Sequence, residues 1–576
     1  MLLSLQSFSK VLSLWVYLFL FISFFPSLIL AQQLSTSQLG LDQPKTRKEL
    51  PEHNGPSMDL EILLPKLPPK VDKDQLSQTP FVFIKQFEFI GNKVVSSETL
   101  LEIAAPYINR KISTMELHEL RYKINEYYAG KGYINSGSIL PDQKVSEGII
   151  YFRIIEGKLT NIDITGNKRI PSSLLRTHLS SDKELPFNIF DLQEKLQMLQ
   201  KNPLVERVNG ELIPGMELGE ASLKTRIVES NPLKTIIKFA NDSPPSSGST
   251  GSEVLVQYLN LSGWGDKFSA RWKKTRGADD YALSYDFSSR LIGYRLSAFY
   301  EYTDSRIIEE PFDLIDITSE SASFGLNFMY PLIQNLNQDL FFTFTAEKRS
   351  SKTFLFNKPF SFVANSDDGK TDLSIGRLAI DLNIYRPSYV FAFRSVISKG
   401  IDAFHATNFK SEPDSDFINL MGQLQWSKRF DFIPGDQFII KASFQISKDP
   451  LPSLEKFAIG GHATVRGYRE NHLVRDNGLI ASIEYRMPVA RLPLKGFSTG
   501  PQDGIIQLSP FFDWGRSWNR HGSADIISSI GVGIRWDPCK KFHGRIYYGY
   551  GLQNTSHGDY DLQDSGVHFL FQWNLF

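Results

Sequence analysis

FAIGGHATVRGY, residues 457–468, and FFDWGRSW, residues 511–518, decide how this chain is read. In the first stretch Val465, Arg466, Gly467 and Tyr468 follow a glycine pair, Gly460 and Gly461. Glycine accepts backbone angles that other residues refuse, so such a segment can fold back on itself. The second stretch places Phe511, Asp513 and Gly515 on alternate positions, as on one face of a strand. An arginine in a permissive loop and an aspartate on a strand are natural ion-pair partners inside a wet channel.

Both stretches lie in a region that alternates apolar and polar residues from about Lys234 to the last residue. Phe268, Ala270 and Trp272 alternate with Ser269 and Arg271, and Tyr281, Leu283, Tyr285 and Phe287 with Ala282, Ser284 and Asp286. Phe438, Ile440, Ala442, Phe444 and Ile446 alternate with Ile439, Lys441, Ser443 and Gln445; Leu479, Ala481, Ile483 and Tyr485 alternate with Ser482, Glu484 and Arg486. One face is oily and aromatic, the other polar and often charged. A soluble sandwich alternates too, but the number of such strands, their continuation to the C-terminus and the charged second face favour a membrane β-barrel. In lipid every backbone polar group must be paired, which a closed sheet achieves without helices. At about 20 residues per strand and connection, this region allows about 16 antiparallel strands.

Upstream lies an internal repeat. Phe89-Ile90-Gly91-Asn92-Lys93 is followed by Ser96-Ser97 and Leu100-Leu101; Ile164-Thr165-Gly166-Asn167-Lys168 is followed by Ser172-Ser173 and Leu174-Leu175. Each unit closes on a similar strand, Arg153 to Glu156 and Arg226 to Glu229. Two copies of one small domain are implied. In the first, Leu117, Leu120, Ile124 and Tyr127 recur at helical spacing until Gly130 and Gly132; in the second, Leu192, Leu196 and Leu199 do so before Pro203. The expected order in each copy is strand, helix, helix, strand, strand.

That order, with Gly-Asn after the first strand, resembles POTRA domains, which can bind extended clients by adding a strand to a sheet edge. VRGY and the F-x-D-x-G pattern of Phe511, Asp513 and Gly515 resemble the two-partner secretion transporters (TpsB, the haemolysin secretion/activation proteins) of the POTRA-barrel superfamily. The resemblance covers residues 81–576 and implies a 16-stranded barrel preceded by two α+β POTRA domains. It places the loop of Val465, Arg466, Gly467 and Tyr468 in the lumen and pairs Arg466 with Asp513, with Phe511, Gly515 and Tyr468 seating the loop. It implies an outer-membrane pore whose periplasmic POTRA domains recognise an unfolded exoprotein and which moves it to the cell surface without ATP. The implied partners are a TpsA-like exoprotein with an N-terminal secretion domain and outer-membrane lipid. An assembly factor that inserts other barrels shares the superfamily motifs and stands as the alternative. An N-terminal helix often plugs relatives; here the proline-free stretch after the signal runs only from Ala31 to Gln43, about 20 Å as a helix and shorter than a bilayer core.

The domains expected are a signal peptide at 1–31, a proline-rich periplasmic linker at 32–80, POTRA domains at 81–157 and 158–231, and the barrel at 232–576. The signal rests on Lys10, the apolar run from Val11 to Leu30 and the small Ala31; a run of this length could also serve as an uncleaved anchor. Pro44, Pro51, Pro56, Pro65, Pro68, Pro69 and Pro80 break the linker.

Bulk properties bound the rest. The 576 residues carry 63 basic and 63 acidic side chains, which gives no reason to expect a nucleic-acid partner. Aromatic residues make up 13%, as suits membrane-interface girdles. Cys539 stands alone, so no internal disulfide forms, and the ten histidines lack ligand spacing. No catalytic residues, metal or cofactor are expected. Gly531-Val532-Gly533 and Gly549-Tyr550-Gly551 sit in alternating strands with no following helix, so they read as small residues at crowded barrel positions rather than phosphate loops. In the last strand Val567, Phe569, Phe571, Trp573 and Leu575 alternate and leave Phe576 out of phase, which a bulge near Asn574 would correct.

Overall fold

The computed structural model describes residues 47–51, 61–63 and 81–575, apart from positions 144, 146, 181–184, 289–292, 363–367, 408–412, 431, 521 and 555–560. The expected signal peptide, the stretch from Ala31 to Gln43 and Phe576 lie outside the described residues.

Three short strands come first: β1 (Glu61–Leu63), β2 (Val82–Ile84) and β3 (Gln86–Ile90). The first repeat continues through α1 (Ser97–Ala104), β4 (Arg110–Ile112), α2 (Thr114–Gly130), β5 (Gly137–Ile139) and β6 (Ile149–Ile155). The second runs β7 (Lys158–Thr165), α3 (Ser172–Leu179), α4 (Ile189–Gln200), β8 (Val205–Pro214) and β9 (Glu220–Glu229). The two sheets have the same plan. β3 lies parallel to β6, which pairs antiparallel with β5; β7 lies parallel to β9, which pairs antiparallel with β8. The leucines at helical spacing bury against these sheets, with Leu120, Ile124 and Tyr128 in one core and Leu192, Leu196 and Leu199 in the other.

The repeated Gly-Asn-Lys has a physical cause. Gly91 and Gly166 turn with φ of +98° and +84°, and a Cβ on either would meet a carbonyl oxygen of the neighbouring strand, Ile154 O at 2.6 Å or Ile227 O at 2.3 Å. The following asparagine then ties down the turn: Asn92 Nδ2 donates to Val95 O and Ser97 Oγ, and Asn167 Nδ2 to Ile170 O and Ser172 Oγ. The closing glutamate of each copy accepts the turn's backbone N–H groups. Glu156 Oε1 takes those of Lys93 and Val94, and Glu229 Oε1 those of Lys168, Arg169 and Ile170. A capping box opens α2: Ser113 and Glu116 exchange side-chain-to-backbone bonds, and the Ser113 N–H holds the Glu116 carboxyl below its usual range.

The barrel begins with β10 (Leu233–Ala240), β11 (Gly251–Leu259), β12 (Lys267–Thr275), β13 (Ala278–Ser288), β14 (Arg295–Arg306) and β15 (Ile317–Gln334). It continues with β16 (Gln338–Leu355), the two-residue β17 (Lys358–Pro359), β18 (Lys370–Arg386), β19 (Tyr389–Ile401), β20 (Ile418–Lys428) and β21 (Gln437–Ser447). Two short strands, β22 (Phe457–Ile459) and β23 (Leu473–Arg475), interrupt it before β24 (Asn477–Arg491), β25 (Ile505–Trp518), β26 (Asp525–Cys539), β27 (Phe542–Gly551) and β28 (Val567–Asn574). Sixteen antiparallel strands close the barrel, with β17 a side pairing on β16 and β28 joining β10 from Ile236↔Asn574 to Ala240↔Leu570. Trp272, Leu283, Tyr300 and Ile446 face outward and are exposed, while Ser269, Ser323, Ile439 and Gln445 are buried on the inner face. That register is unbroken to Asn574, where the strand ends, so the last strand carries no bulge among the described residues.

One expectation needs amendment. The linker, read as periplasmic, runs inside the barrel over residues 47–51, where Arg47, Lys48, Leu50 and Pro51 hydrogen-bond lumen-facing groups. Its alternating charges and prolines suit a wet lumen as well as the periplasm, and composition could not tell the two apart. Further on, β1 adds a parallel strand to β8.

Replacing Glu229 with alanine should leave the N–H groups of residues 168–170 without their acceptor. A local loss of about 2 kcal/mol is expected, read as roughly thirtyfold faster amide exchange at Lys168–Ile170 in the full-length protein. Unchanged exchange there would remove the glutamate from this role.

Candidate functional site: a loop clamped inside the lumen

The connection between β21 and β24, residues 448–476, leaves the barrel rim opposite the repeat domains and folds into the lumen. Its β22–β23 hairpin packs a small apolar core of Phe457, Ile459, Val465, Tyr468 and Leu473 against Ile480 and Ile527 of the wall.

Arg466 is the centre of its contacts. Nε donates to Asp513 Oδ2 at 2.8 Å and Nη2 to Asp513 Oδ1 at 2.9 Å, a fork-on-fork pairing that lysine cannot reproduce. The Arg466 backbone N–H reaches the same Oδ2 at 3.0 Å, and Ser482 Oγ donates to Oδ1 at 2.6 Å. Asp513 has no exposed surface, and these four donors replace the water it gives up. The remaining arginine nitrogen, Nη1, donates to Glu484 Oε2 at 2.6 Å, and Arg486 Nε holds the other oxygen of Glu484. The guanidinium lies 3.6 Å from the centre of the Phe511 ring and 4.8 Å from that of Tyr547.

The other residues of the two motifs converge here. Val465 is buried in the loop's apolar core, and Tyr468 donates its hydroxyl to Ser528 O at 2.9 Å. Gly467 has φ of +87°, donates its N–H to His568 Nε2, and lies so close to β27 that a Cβ would stand 2.7 Å from Gly549 O. Gly515 leaves room for Ile459 and Val465 of the loop. The paired glycines serve the same site: Gly531 makes space for the Phe511 ring, Gly533 for Tyr547 and Gly551 for Tyr468.

Sequence reasoning missed the opposite side of the clamp. Glu455, at the start of the loop, is fully buried between Arg349 of β16 and Arg377 of β18: Arg349 Nη1 donates to Oε1 at 2.7 Å, and Arg377 Nη1 and Nη2 donate to Oε2 and Oε1 at 2.8 Å each. Past the motif, Arg469 pairs with Asp564 and with Glu309, and Arg475 with Asp525. The loop is therefore tied to two separate stretches of the wall. Glu484 and Arg486 belonged to a polar strand face visible in the sequence, but no spacing singled out Glu455, Arg349 or Arg377. Among the described residues no cluster of His, Cys, Asp and Glu could hold a metal.

A cavity of about 1650 Å3 lies beneath, between the second repeat domain and the nearer barrel rim. Leu199, Met198 and His178 line one side, and Arg295, Asp339 and Tyr385 the other, with Pro51 of the linker at its edge. Asn260 of the β11–β12 turn donates to Arg169 O, and Lys201 to Leu336 O of the β15–β16 turn; these bonds hold domain and rim together.

Two repeat domains ahead of a closed sixteen-stranded barrel with an inward-folded, ion-paired loop define an outer-membrane β-barrel protein with a periplasmic segment. Residues 219–536 match the family described as haemolysin secretion/activation protein ShlB/FhaC/HecB, and residues 82–157 match the POTRA domain of ShlB type. The chain belongs to this family of two-partner secretion transporters: it is an outer-membrane protein with POTRA domains in the periplasm and a secreted exoprotein as partner. It is 22% identical to the heme/hemopexin transporter protein HuxB of Haemophilus influenzae strain 86-028NP over 92% of both chains. It is 21% identical to the outer membrane transporter CdiB of Dickeya dadantii over 73% of this chain and 75% of that one. Among solved structures, CdiB from Escherichia coli superposes with a TM-score of 0.64 at 17% identity, covering 94% of this chain and 95% of the other. BamA from Haemophilus ducreyi superposes at 0.53 and 12% identity, covering 86% of this chain and 100% of that one; a likeness of this kind shows the shared fold alone.

Arg466→Ala should cost about 3 kcal/mol of loop stability, because Asp513 stays buried without its main partner. Limited trypsin digestion from the outer face reads this as faster cleavage within residues 448–476. Arg466→Lys should fall between, with one contact where the wild type has two. Equal cleavage in all three would show that the pair does not hold the loop.

Proposed function

We propose that the lumen loop is the gate of the pore and that the ion pair of Arg466 and Asp513 is its principal catch. The observation that carries this reading is the loop's attachment to two separate stretches of the wall, through Arg466 on β24 and β25 and through Glu455 on β16 and β18. A chain crossing the lumen must displace it. The contacts are mostly polar, so water admitted with an open loop can replace them, and the cost of opening stays moderate.

In this reading residues 81–157 and 158–231 are the two POTRA domains, 232–576 is the barrel, and residues 1–31 and 32–80 are the signal peptide and a linker that threads the lumen before reaching the periplasm. The POTRA domains take up the N-terminal secretion domain of an unfolded exoprotein in extended form and pass it into the vestibule at the periplasmic mouth of the barrel. Val465, Gly467, Tyr468, Phe511 and Gly515 seat the gate. Transport uses no ATP, and folding of the exoprotein outside makes the movement directional. No catalytic step is part of it.

Quantitative mass spectrometry of culture supernatant and outer membrane, with and without the gene, tests the function. Loss of one large secreted protein, with other outer-membrane barrels unchanged, is expected. A general fall in barrel proteins with no missing exoprotein would favour the assembly factor instead. Arg466→Ala should lower export of that exoprotein severalfold at unchanged barrel abundance; wild-type export would leave the pair without a role in gating.

A further inference from the structure

Two inward-facing glutamines on β20 hold the linker by its backbone. Gln423 Nε2 donates to Lys48 O at 3.0 Å while its Oε1 accepts the Lys48 N–H at 3.2 Å, so one side-chain amide pairs with both polar groups of one residue. Gln425 Nε2 donates to Leu50 O at 3.3 Å and to Pro51 O at 2.9 Å. Both glutamines are more than nine-tenths buried. Residues 423 and 425 are one strand repeat apart on one face, and so are residues 48 and 50 in the chain they hold. Matching a two-residue repeat on the wall to a two-residue repeat in the guest suits an extended polypeptide. These four bonds read no side chain. Selectivity for the linker comes from elsewhere: Arg47 donates to Ala458 O at 2.6 Å and lies 4.0 Å over the Phe457 ring, and Lys48 lies 3.9 Å from Asp381.

Position reinforces this. β20 descends toward the rim that faces the second POTRA domain, and Pro51 borders the vestibule cavity. The wall site thus lies close to where a chain leaving that vestibule would enter the lumen. Further along, the same linker adds β1 in parallel to β8, again through backbone groups.

We propose that Gln423 and Gln425 form a sequence-independent binding site for extended polypeptide backbone, occupied at rest by residues 48–51 of the linker and during export by the exoprotein. Side-chain amides are well matched to such a role, because each offers a donor and an acceptor at fixed geometry, carries no charge to trap a passing chain, and is indifferent to what the guest carries. The linker is then a resident stand-in for the client. The inference rests on the transporter reading of this pore.

The test uses the full-length protein and the double variant Gln423→Leu/Gln425→Leu, with heat-modifiable gel mobility confirming a folded barrel. In planar bilayers, release of the linker, whose Arg47 also grips the gate loop at Ala458 O, should raise the open fraction of the pore about thirtyfold, the worth of four lost hydrogen bonds at the low end of their usual range. In cells, export of the exoprotein identified by the supernatant comparison should nevertheless fall about tenfold. Gln425→Glu, of the same shape but unable to donate to Leu50 O and Pro51 O, should move both readouts in the same directions. A pore that opens while export is unchanged would show that the glutamines serve the linker alone and overturn the site; unchanged conductance would overturn it as well. If the wild-type strain exports nothing that the deletion strain lacks, the transporter reading itself fails, a result distinct from either.

Discussion

The Arg466 guanidinium and the Asp513 carboxylate meet in a place where neither could stand alone. Asp513 lies on the inner wall with no exposed surface, and a carboxylate deprived of water is tolerable only when its lone pairs are filled. Arg466 fills most of them, with its own backbone N–H and Ser482 supplying the rest. That requirement propagates. The loop must come close enough for a backbone N–H to reach the wall, hence Gly467 against Gly549. The guanidinium needs a flat surface beneath it, hence Phe511 and Tyr547, and those rings need the space that Gly531 and Gly533 leave.

The same logic is repeated with opposite polarity on another stretch of the wall, five strands away around the barrel. There the loop contributes the carboxylate, Glu455, and the wall contributes the arginines, Arg349 and Arg377. A loop tied by charge at both stretches is rigid while dry and loosens where water can enter, since hydration offers each charged group a substitute partner. An apolar plug of the same size would have no such alternative. For the gate proposed above, the mixture suits a closure that is stable at rest and reversible in use.

The periplasmic part obeys a simpler constraint. Each POTRA sheet ends in a glutamate whose carboxylate organises the turn opening the domain, so the first and last strands of a unit fix each other. Such units are self-contained and can be placed in series. The second is joined to the barrel through a few bonds to strand turns, which leaves the large vestibule between them.

Much of this was legible along the chain. Period-two alternation separates the lipid face from the lumen face because a strand alternates its side chains whatever its neighbours are, and the repeated Gly-Asn-Lys marks a turn whose positive φ is a local demand. The two motifs of the loop and of β25 could be matched because each is a short run of residues with fixed local roles. The linker's passage through the lumen was invisible, since alternating charges and prolines suit water on either side of the membrane. Glu455, Arg349 and Arg377 were equally silent, for they come from three segments and none stands at a spacing that differs from an ordinary polar lumen residue. Local side-chain pattern is enough to settle the strands, the repeats and the inward charge. Which of those charges meet is decided by barrel closure, because only the closed sheet brings distant strands face to face across a confined lumen.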